Sequence, residues 1–172
     1  FVVSRDDGNE SILELIKNVE ADCVVNALSG SIGLEASFIT LTLGKQLALA
    51  NKESLVVAGD LLMPLSKVPG RLMPIDSEHG AIYQCLIGEN HAEVNNIWLT
   101  ASGGPFFGRK FNELEGITPK QALAHPTWSM GPKITIDSST MMNKGLEVIE
   151  AKHLFSVDFD NIKVVIQRES LI

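Results

Sequence analysis

Apolar residues at helical spacing open the chain. Ile12, Leu13, Leu15, Ile16 and Val19 keep one face, and Ser11 and Glu14 stand at capping-box separation, which predicts a helix from Ser11 to Glu20. Ahead of it, Phe1-Val2-Val3 reads as the end of a strand and Asp6-Asp7-Gly8-Asn9 as a loop. Cys23 to Leu28 is a short continuous run of the kind found in strands covered on both faces of a parallel sheet. A glycine-bearing loop, Ser29 to Gly33, leads to a predicted helix over Leu34–Leu43 and a second buried strand over Gln46–Ala50. That order is a βαβ unit. Asn51 then suits the N-cap of a further helix, Leu55 to Leu65.

Beyond Lys67-Val68-Pro69-Gly70 the strands carry more polar loops. The run from Arg71 to Ile75 stops at Asp76-Ser77-Glu78-His79-Gly80, and an apolar helical segment follows from Ala81 to Ile87, so this is a strand-to-helix junction. A strand is expected over Asn95–Thr100, and a short helix with proline at its first position starts at Thr118-Pro119. Lys133-Ile134-Thr135-Ile136 alternates as a strand, with Asp137-Ser138-Ser139-Thr140 as caps for a helix from Met141 to Phe155. On that helix Met142, Leu146 and Ile149 form an apolar stripe, beside which Asn143, Lys144 and Glu147 share one side. A last strand runs from Ile162 to Ile166. The pattern as a whole is α/β.

Composition narrows the function. A chain of 172 residues, 45% hydrophobic, builds one generous domain or two small ones. A formal net charge of −7 argues against a nucleic-acid groove or an anionic membrane surface as partner. No apolar run reaches membrane-spanning length, and the chain reads as intracellular and soluble. Cys23 and Cys85 lie far apart in apolar contexts without metal-like spacing, and are expected to be reduced, buried and inert.

Asp76 and Glu78 are two positions apart, so an extended backbone would send both carboxylates to one face, a pair suited to Mg²⁺ or Mn²⁺. Capping of the following helix by Asp76 is the competing reading, and Glu147 as a third carboxylate raises the metal one. Lys52 sits where a helix N-terminus disfavours a cation, and either meets an anionic or polar partner at the strand's carboxyl edge or is a solvated surface lysine. Gly30 and Gly33 either allow close approach of a nucleotide or are ordinary turn glycines, since their spacing is not a full dinucleotide fingerprint. Ser102-Gly103-Gly104 has the form of a small phosphate cradle, or of a common turn. The loop His125 to Pro132 carries Trp128 and Met130, which either close as a lid or pack permanently on the core.

Five stretches together resemble one family. Ala50-Asn51-Lys52-Glu53-Ser54-Leu55-Val56, Pro74-Ile75-Asp76-Ser77-Glu78-His79, Ser102-Gly103-Gly104-Pro105-Phe106, His125 through Gly131, and Met141-Met142-Asn143-Lys144-Gly145-Leu146-Glu147 resemble the 1-deoxy-D-xylulose 5-phosphate reductoisomerases, in that family's order. The resemblance implies the second half of a Rossmann-like NADPH-binding domain over residues 1–73, followed by an α/β catalytic domain over 74–172. It implies conversion of 1-deoxy-D-xylulose 5-phosphate to 2-C-methyl-D-erythritol 4-phosphate with NADPH and a divalent metal, Mg²⁺, Mn²⁺ or Co²⁺. Asp76, Glu78 and Glu147 would hold the metal. Ser77, Ser102, His125, Ser138, Asn143 and Lys144 would line the phosphosugar, and Ala27, Gly30, Asn51, Glu53 and Gly131 the cofactor. Lys52, Glu78, His125 and Trp128 would serve catalysis. A homodimer and a cytoplasmic, bacterial setting are implied too, with a plastid setting also open. The family's first glycine-rich nucleotide loop and its C-terminal helical domain have no counterpart in these residues, as in a fragment, and Gln167-Arg168-Glu169-Ser170 stands where the family has His-Pro-Gln-Ser. The competing functions are a metal-dependent phosphosugar phosphatase or aldolase, and a binding or dimerisation module without turnover.

Overall fold

The computed structural model describes residues 8–171, so the expected strand Phe1-Val2-Val3 lies outside the described residues. Helix α1 (Gly8–Asn18) starts three residues before the expected cap, which leaves Ser11 inside it. Strands β1 (Cys23–Asn26), β2 (Gln46–Leu49) and β3 (Leu72–Pro74) form a parallel sheet in that order, β1 pairing Val25 with Ala48 and β2 pairing Leu49 with Pro74. Helices α2 (Ile32–Thr42) and α3 (Lys52–Leu62) are the connections that parallel pairing requires. Their apolar faces meet β2 and β3 in a core of Leu41, Leu47, Leu49, Leu55, Ala58, Leu62 and Leu72, each such leucine contributing ~1.5–3 kcal/mol of burial.

The expectation of strands covered on both faces holds for β2, where Leu47, Ala48 and Leu49 are all buried. It fails for β1: Val25 is 65% exposed and Cys23 is open to solvent, because β1 is a border strand among the described residues. Cys85, near the end of helix α4 (Ser77–Cys85), is also exposed, so both thiols are free but not buried.

A second parallel pair, β4 (Ile97–Ala101) with β5 (Ile162–Ile166), has its own core of Ile97, Ala151, Phe155, Val157 and Ile162. Helix α7 (Met142–Phe155) joins the two regions. Its Leu154 packs against both cores, and it crosses α3 so closely that a Cβ on Gly59 would overlap the His153 ring. Short helix α5 (Pro119–Ala122) is capped by Thr118 as its sequence predicts.

Two expectations are overturned between α5 and α7. Residues 133–136 are helical, not a strand: α6 spans Pro132–Ser139. Proline at the first position presets the helical φ, Lys133 and Asp137 pair at i, i+4 across 2.7 Å, and the buried positions are Thr135 and Ser139, four apart. Four alternating residues are too few to separate a period of 2 from 3.6. Consequently Asp137 to Thr140 end a helix instead of capping the next, and the chain turns the corner at Met141 in the left-handed region, φ 62°. The expected apolar stripe on α7 is also not its buried side. Met142 is 55% exposed, whereas Lys144, Glu147, Glu150, Ala151 and Phe155 are buried. The first part of α7 lies over charged partners from the other elements, and those partners make burial of its polar residues tolerable.

Candidate metal and substrate site

Helix α4 begins directly after β3 with Asp76 as its N-cap, Oδ1 accepting the backbone N–H of Glu78 at 3.2 Å and of His79 at 3.4 Å. Capping leaves the other oxygen to pair with the Lys52 ammonium, so the capping and metal readings of Asp76 are compatible. The extended geometry expected to align Asp76 with Glu78 does not occur, because Ser77 is already helical. The carboxylates converge by another route. One oxygen each from Asp76, Glu78 and Glu147 lies within 4.8 Å of the others, α7 supplying Glu147 from across the junction.

Two ammonium groups are set into this cluster. Lys52, which Asn51 places at the start of α3 by capping Ser54 N–H, reaches Asp76, Glu147 Oε1 at 3.2 Å and Glu150 Oε2 at 3.7 Å. Lys144 reaches Glu78 Oε1 at 2.8 Å, Glu147 Oε2 at 2.5 Å and the Thr100 carbonyl at the end of β4. Asn143 donates to Glu147 Oε1 at 2.6 Å. Burial pulls the Lys52 pKa down, but Glu147, Asp76 and Glu150 together raise it above its usual value. Burial likewise pushes the Asp76 carboxyl up and is outweighed by Lys52, which holds it below the usual carboxylate range. For Glu147 burial prevails over Lys52 and Lys144, and its carboxyl is raised.

Two members of the cluster went unassigned in the sequence. His79 is fully buried, with Nε2 2.9 Å from the Glu147 carbonyl and Nδ1 3.4 Å from Asp76 Oδ1, and burial lowers its pKa so that it is neutral. Glu150 is 3% exposed, and burial pushes its carboxyl up to about 8. The signal for Glu150 was its i, i+3 spacing from Glu147, masked by the assumption that the buried side of α7 is apolar.

A cavity of about 350 Å³ gathers the expected substrate residues. Asp76, Ser77 and Glu78 line one wall, and Ser102 and Ser138 another. Asn143, Lys144 and Glu147 come from α7, while His125 and Trp128 come from the loop before α6. Gly104 permits this arrangement, since a Cβ there would fall 2.5 Å from the Ser138 carbonyl oxygen and 3.0 Å from Ser139 Cα. Trp128 is 52% exposed, so permanent packing on the core is not its state. Its loop is pinned by His125, whose Nδ1 accepts the N–H of Trp128 at 2.9 Å and of Thr127 at 3.2 Å.

A second cavity, about 520 Å³, opens beyond the carboxyl ends of β1 and β2, where ligands of parallel sheets bind. Ala27, Asn51, Glu53 and Gly131 line it, and it shares Asn143 and Ile134 with the first. Gly30 is not in its lining but stands behind, its carbonyl held by Asn51 Nδ2 at 2.9 Å. Glu53 links the two sides through Lys133 of α6 at 2.9 Å. Burial pushes the Glu53 carboxyl up, but Lys133 and the backbone N–H groups of Glu53 and Gly30 hold it below its usual value.

The donor set suits a hard divalent cation. It offers three carboxylate oxygens, and buried Glu147 Oε2 makes no aligned hydrogen bond among the described residues, although Lys144 is near. No helix among the described residues is long and apolar enough to cross a membrane.

Comparison with known proteins agrees with this geometry. Residues 72–155 match the family described as 1-deoxy-D-xylulose 5-phosphate reductoisomerase C-terminal domain, and residues 3–59 that described as 1-deoxy-D-xylulose 5-phosphate reductoisomerase. The reductoisomerase of Thermodesulfovibrio yellowstonii is 50% identical over 96% of this chain and 44% of its own length, and that of Desulfitobacterium hafniense strain Y51 is 53% identical over 96% and 43%. The chain therefore spans less than half the length of the curated relatives it matches. A crystal structure of the reductoisomerase in complex with NADPH, fosmidomycin and magnesium superimposes with a TM-score of 0.85 at 44% identity, covering 95% of this chain and 43% of that one. The Zymomonas mobilis enzyme in complex with NADPH does so with a TM-score of 0.85 at 43% identity, covering 96% and 42%. On these matches, which run through both cavities, the chain belongs to the 1-deoxy-D-xylulose 5-phosphate reductoisomerase family.

Proposed function

We propose that this chain carries the metal and phosphosugar site, and part of the cofactor site, of an NADPH-dependent reductoisomerase that turns 1-deoxy-D-xylulose 5-phosphate into 2-C-methyl-D-erythritol 4-phosphate. The observation that carries the proposal is the convergence of Asp76, Glu78 and Glu147 in a cavity that shares a wall with a second one at the carboxyl ends of β1 and β2. A divalent cation supplies Lewis-acid polarisation of a ketone and its neighbouring hydroxyl, and NADPH supplies the hydride for the reductive step.

The remaining roles belong to the chain. Asp76, Glu78 and Glu147 hold the cation. Lys52, kept protonated by the surrounding carboxylates, is a fixed positive donor and not a base, so it steadies negative charge on a substrate oxygen. Neutral His79 donates Nε2–H to the Glu147 carbonyl while its backbone N–H is accepted by Asp76 Oδ1, and so holds two of the three carboxylates in register. Ser102, Ser138, Asn143 and Lys144 form the end of the cavity that receives the phosphate. His125 holds the Trp128 loop over the opening, where closure excludes water from the carbonyl intermediate. Ala27, Asn51, Glu53 and Gly131 face the nicotinamide side, with Gly30 behind them. Apart from Lys52, residues 1–73 serve the nucleotide, and apart from Gly131, residues 74–172 serve the chemistry; the homodimer and cytoplasmic setting belong to the same proposal.

The test is NADPH absorbance loss by the intact protein with Mn²⁺ and 1-deoxy-D-xylulose 5-phosphate. Oxidation that stops on chelation supports the proposal. Phosphate release or carbon–carbon cleavage without NADPH oxidation would establish phosphatase or aldolase chemistry instead, and binding without any turnover a binding module.

A further inference from the structure

Behind the cavity at the ends of β1 and β2 runs a line of polar groups that no solvent reaches. Asn26, Ser37, Asn51 and Ser54 are each at most 2% exposed. Asn26 Nδ2 lies 2.8 Å from Ser37 Oγ, the Ser37 and Ser54 hydroxyls are 2.8 Å apart, and Ser54 Oγ lies 2.5 Å from Asn51 Oδ1. Asn51 Nδ2 then donates to the carbonyls of Leu28 at 2.8 Å and Gly30 at 2.9 Å. An amide nitrogen only donates and an amide oxygen only accepts. Ser37 must therefore accept from Asn26, and Ser54 must donate to Asn51, so the shared hydrogen bond runs from Ser37 to Ser54. The relay has one direction, and it aims the Asn51 amide hydrogens at the turn from Leu28 to Gly30. Leu28 and Ser29 of that turn line the cavity.

We infer that this relay is the positioning device of the dinucleotide cavity: by fixing the Asn51 amide it presets the Leu28–Gly30 turn and thereby sets affinity for the nicotinamide cofactor, while the cap that places Lys52 is kept by the Ser54 backbone N–H at 2.9 Å. The inference rests on the proposed NADPH reading of the cavity. Ser37 and Ser54 touch neither cavity; their hydroxyls reach the turn through Asn51 and through Asn26, whose Oδ1 accepts the Leu28 N–H at 3.2 Å, and Ser54 Oγ also lies 3.3 Å from the Gly33 carbonyl. Without the Ser37 hydroxyl, Ser54 loses its donor and the Asn26 amide loses an acceptor, in a region where unpaired groups are costly. The turn is then free to leave the geometry that receives the cofactor.

Ser37→Thr and Ser37→Val separate this role from packing, because the two side chains share a shape and differ in the hydroxyl; Ser37→Ala, which adds no bulk, serves if either fails to fold. In the intact protein, the dissociation constant of NADPH from nicotinamide fluorescence is expected to rise about tenfold in the Val and Ala variants, the effect of one buried pairing, and to stay near the parent value in the Thr variant. Mn²⁺ affinity by electron paramagnetic resonance and kcat at saturating NADPH should stay at the parent values. Equal NADPH affinity in the Thr and Val variants, an unchanged Ala variant, or Mn²⁺ affinity falling in step would overturn the relay. Failure of the unsubstituted protein to bind NADPH at all would overturn the cofactor reading and the relay with it.

Discussion

Gly104→Ala tests how the substrate cavity is assembled. The new Cβ would meet the Ser138 carbonyl oxygen at 2.5 Å and Ser139 Cα at 3.0 Å, both backbone atoms that cannot rotate away. An ordinary carbon–oxygen approach is ~3.3 Å, so the loop 102–104 and the end of α6 must part by roughly 0.8 Å. Overpacking of this kind costs ~1–3 kcal/mol, which for a chain of this size lowers Tm by about 2–12 °C. The larger effect is on the site. Ser102 and Ser138 line the cavity from either side of the contact, and displacement of positioned groups by ~1 Å can cost ~100-fold in rate. The assay is binding and turnover of the phosphosugar, with Gly145→Ala as control, since a Cβ at Gly145 meets nothing within 4 Å and alanine favours the helix by ~0.5–1 kcal/mol. Phosphosugar affinity and kcat/KM in Gly104→Ala equal to those of Gly145→Ala would refute the reasoning.

Two further predictions concern protonation. His125 accepts two backbone N–H groups at Nδ1, and burial holds its pKa below the usual 6.5, so the unfolded chain takes up the proton first. The stability these bonds give the loop is present above pH 6.5 and lost as pH falls through the folded value; in a Trp98→Phe background, Trp128 fluorescence should report loosening below that pH and none between 7 and 8. Glu150 has a folded pKa raised to about 8, so its effect has the opposite sign: stability falls as pH rises from ~4.5 to 8. Glu150→Gln should match the parent in thermal denaturation near pH 5 and exceed it above pH 8, and a variant less stable than the parent at pH 9 would contradict the assignment.

The extent to which the site was legible in the sequence follows from where its residues lie. Asp76, Glu78 and Lys52 stand at strand ends, where backbone direction and capping chemistry are local, and the βαβ order that carries them is plain in the spacing of apolar runs. Residues 133–140 were misread because four alternating side chains fit either period, and only tertiary burial of Thr135 and Ser139 decides for the helix. The buried polar side of α7 was hidden for a different reason. Lys144 and Glu147 read as a polar cluster beside an apolar stripe, and their full burial follows only once Lys52, Asp76 and Glu78 are brought over them from distant parts of the chain. The exposure of Cys23 and Val25 follows from the border position of β1 among the described residues, which apolar patterning does not encode.

The most direct test of the metal site is Mn²⁺ titration of Glu147→Gln, followed by electron paramagnetic resonance with circular dichroism as the check on folding. Glu147 is 1% exposed and shares its carboxylate with Lys52, Lys144 and Asn143, and glutamine keeps its shape without the charge. The account predicts an intact fold with Mn²⁺ affinity reduced by at least the ~10–100-fold seen for lost supporting contacts at metal sites. Parent-like Mn²⁺ affinity in the folded variant would contradict the three-carboxylate site.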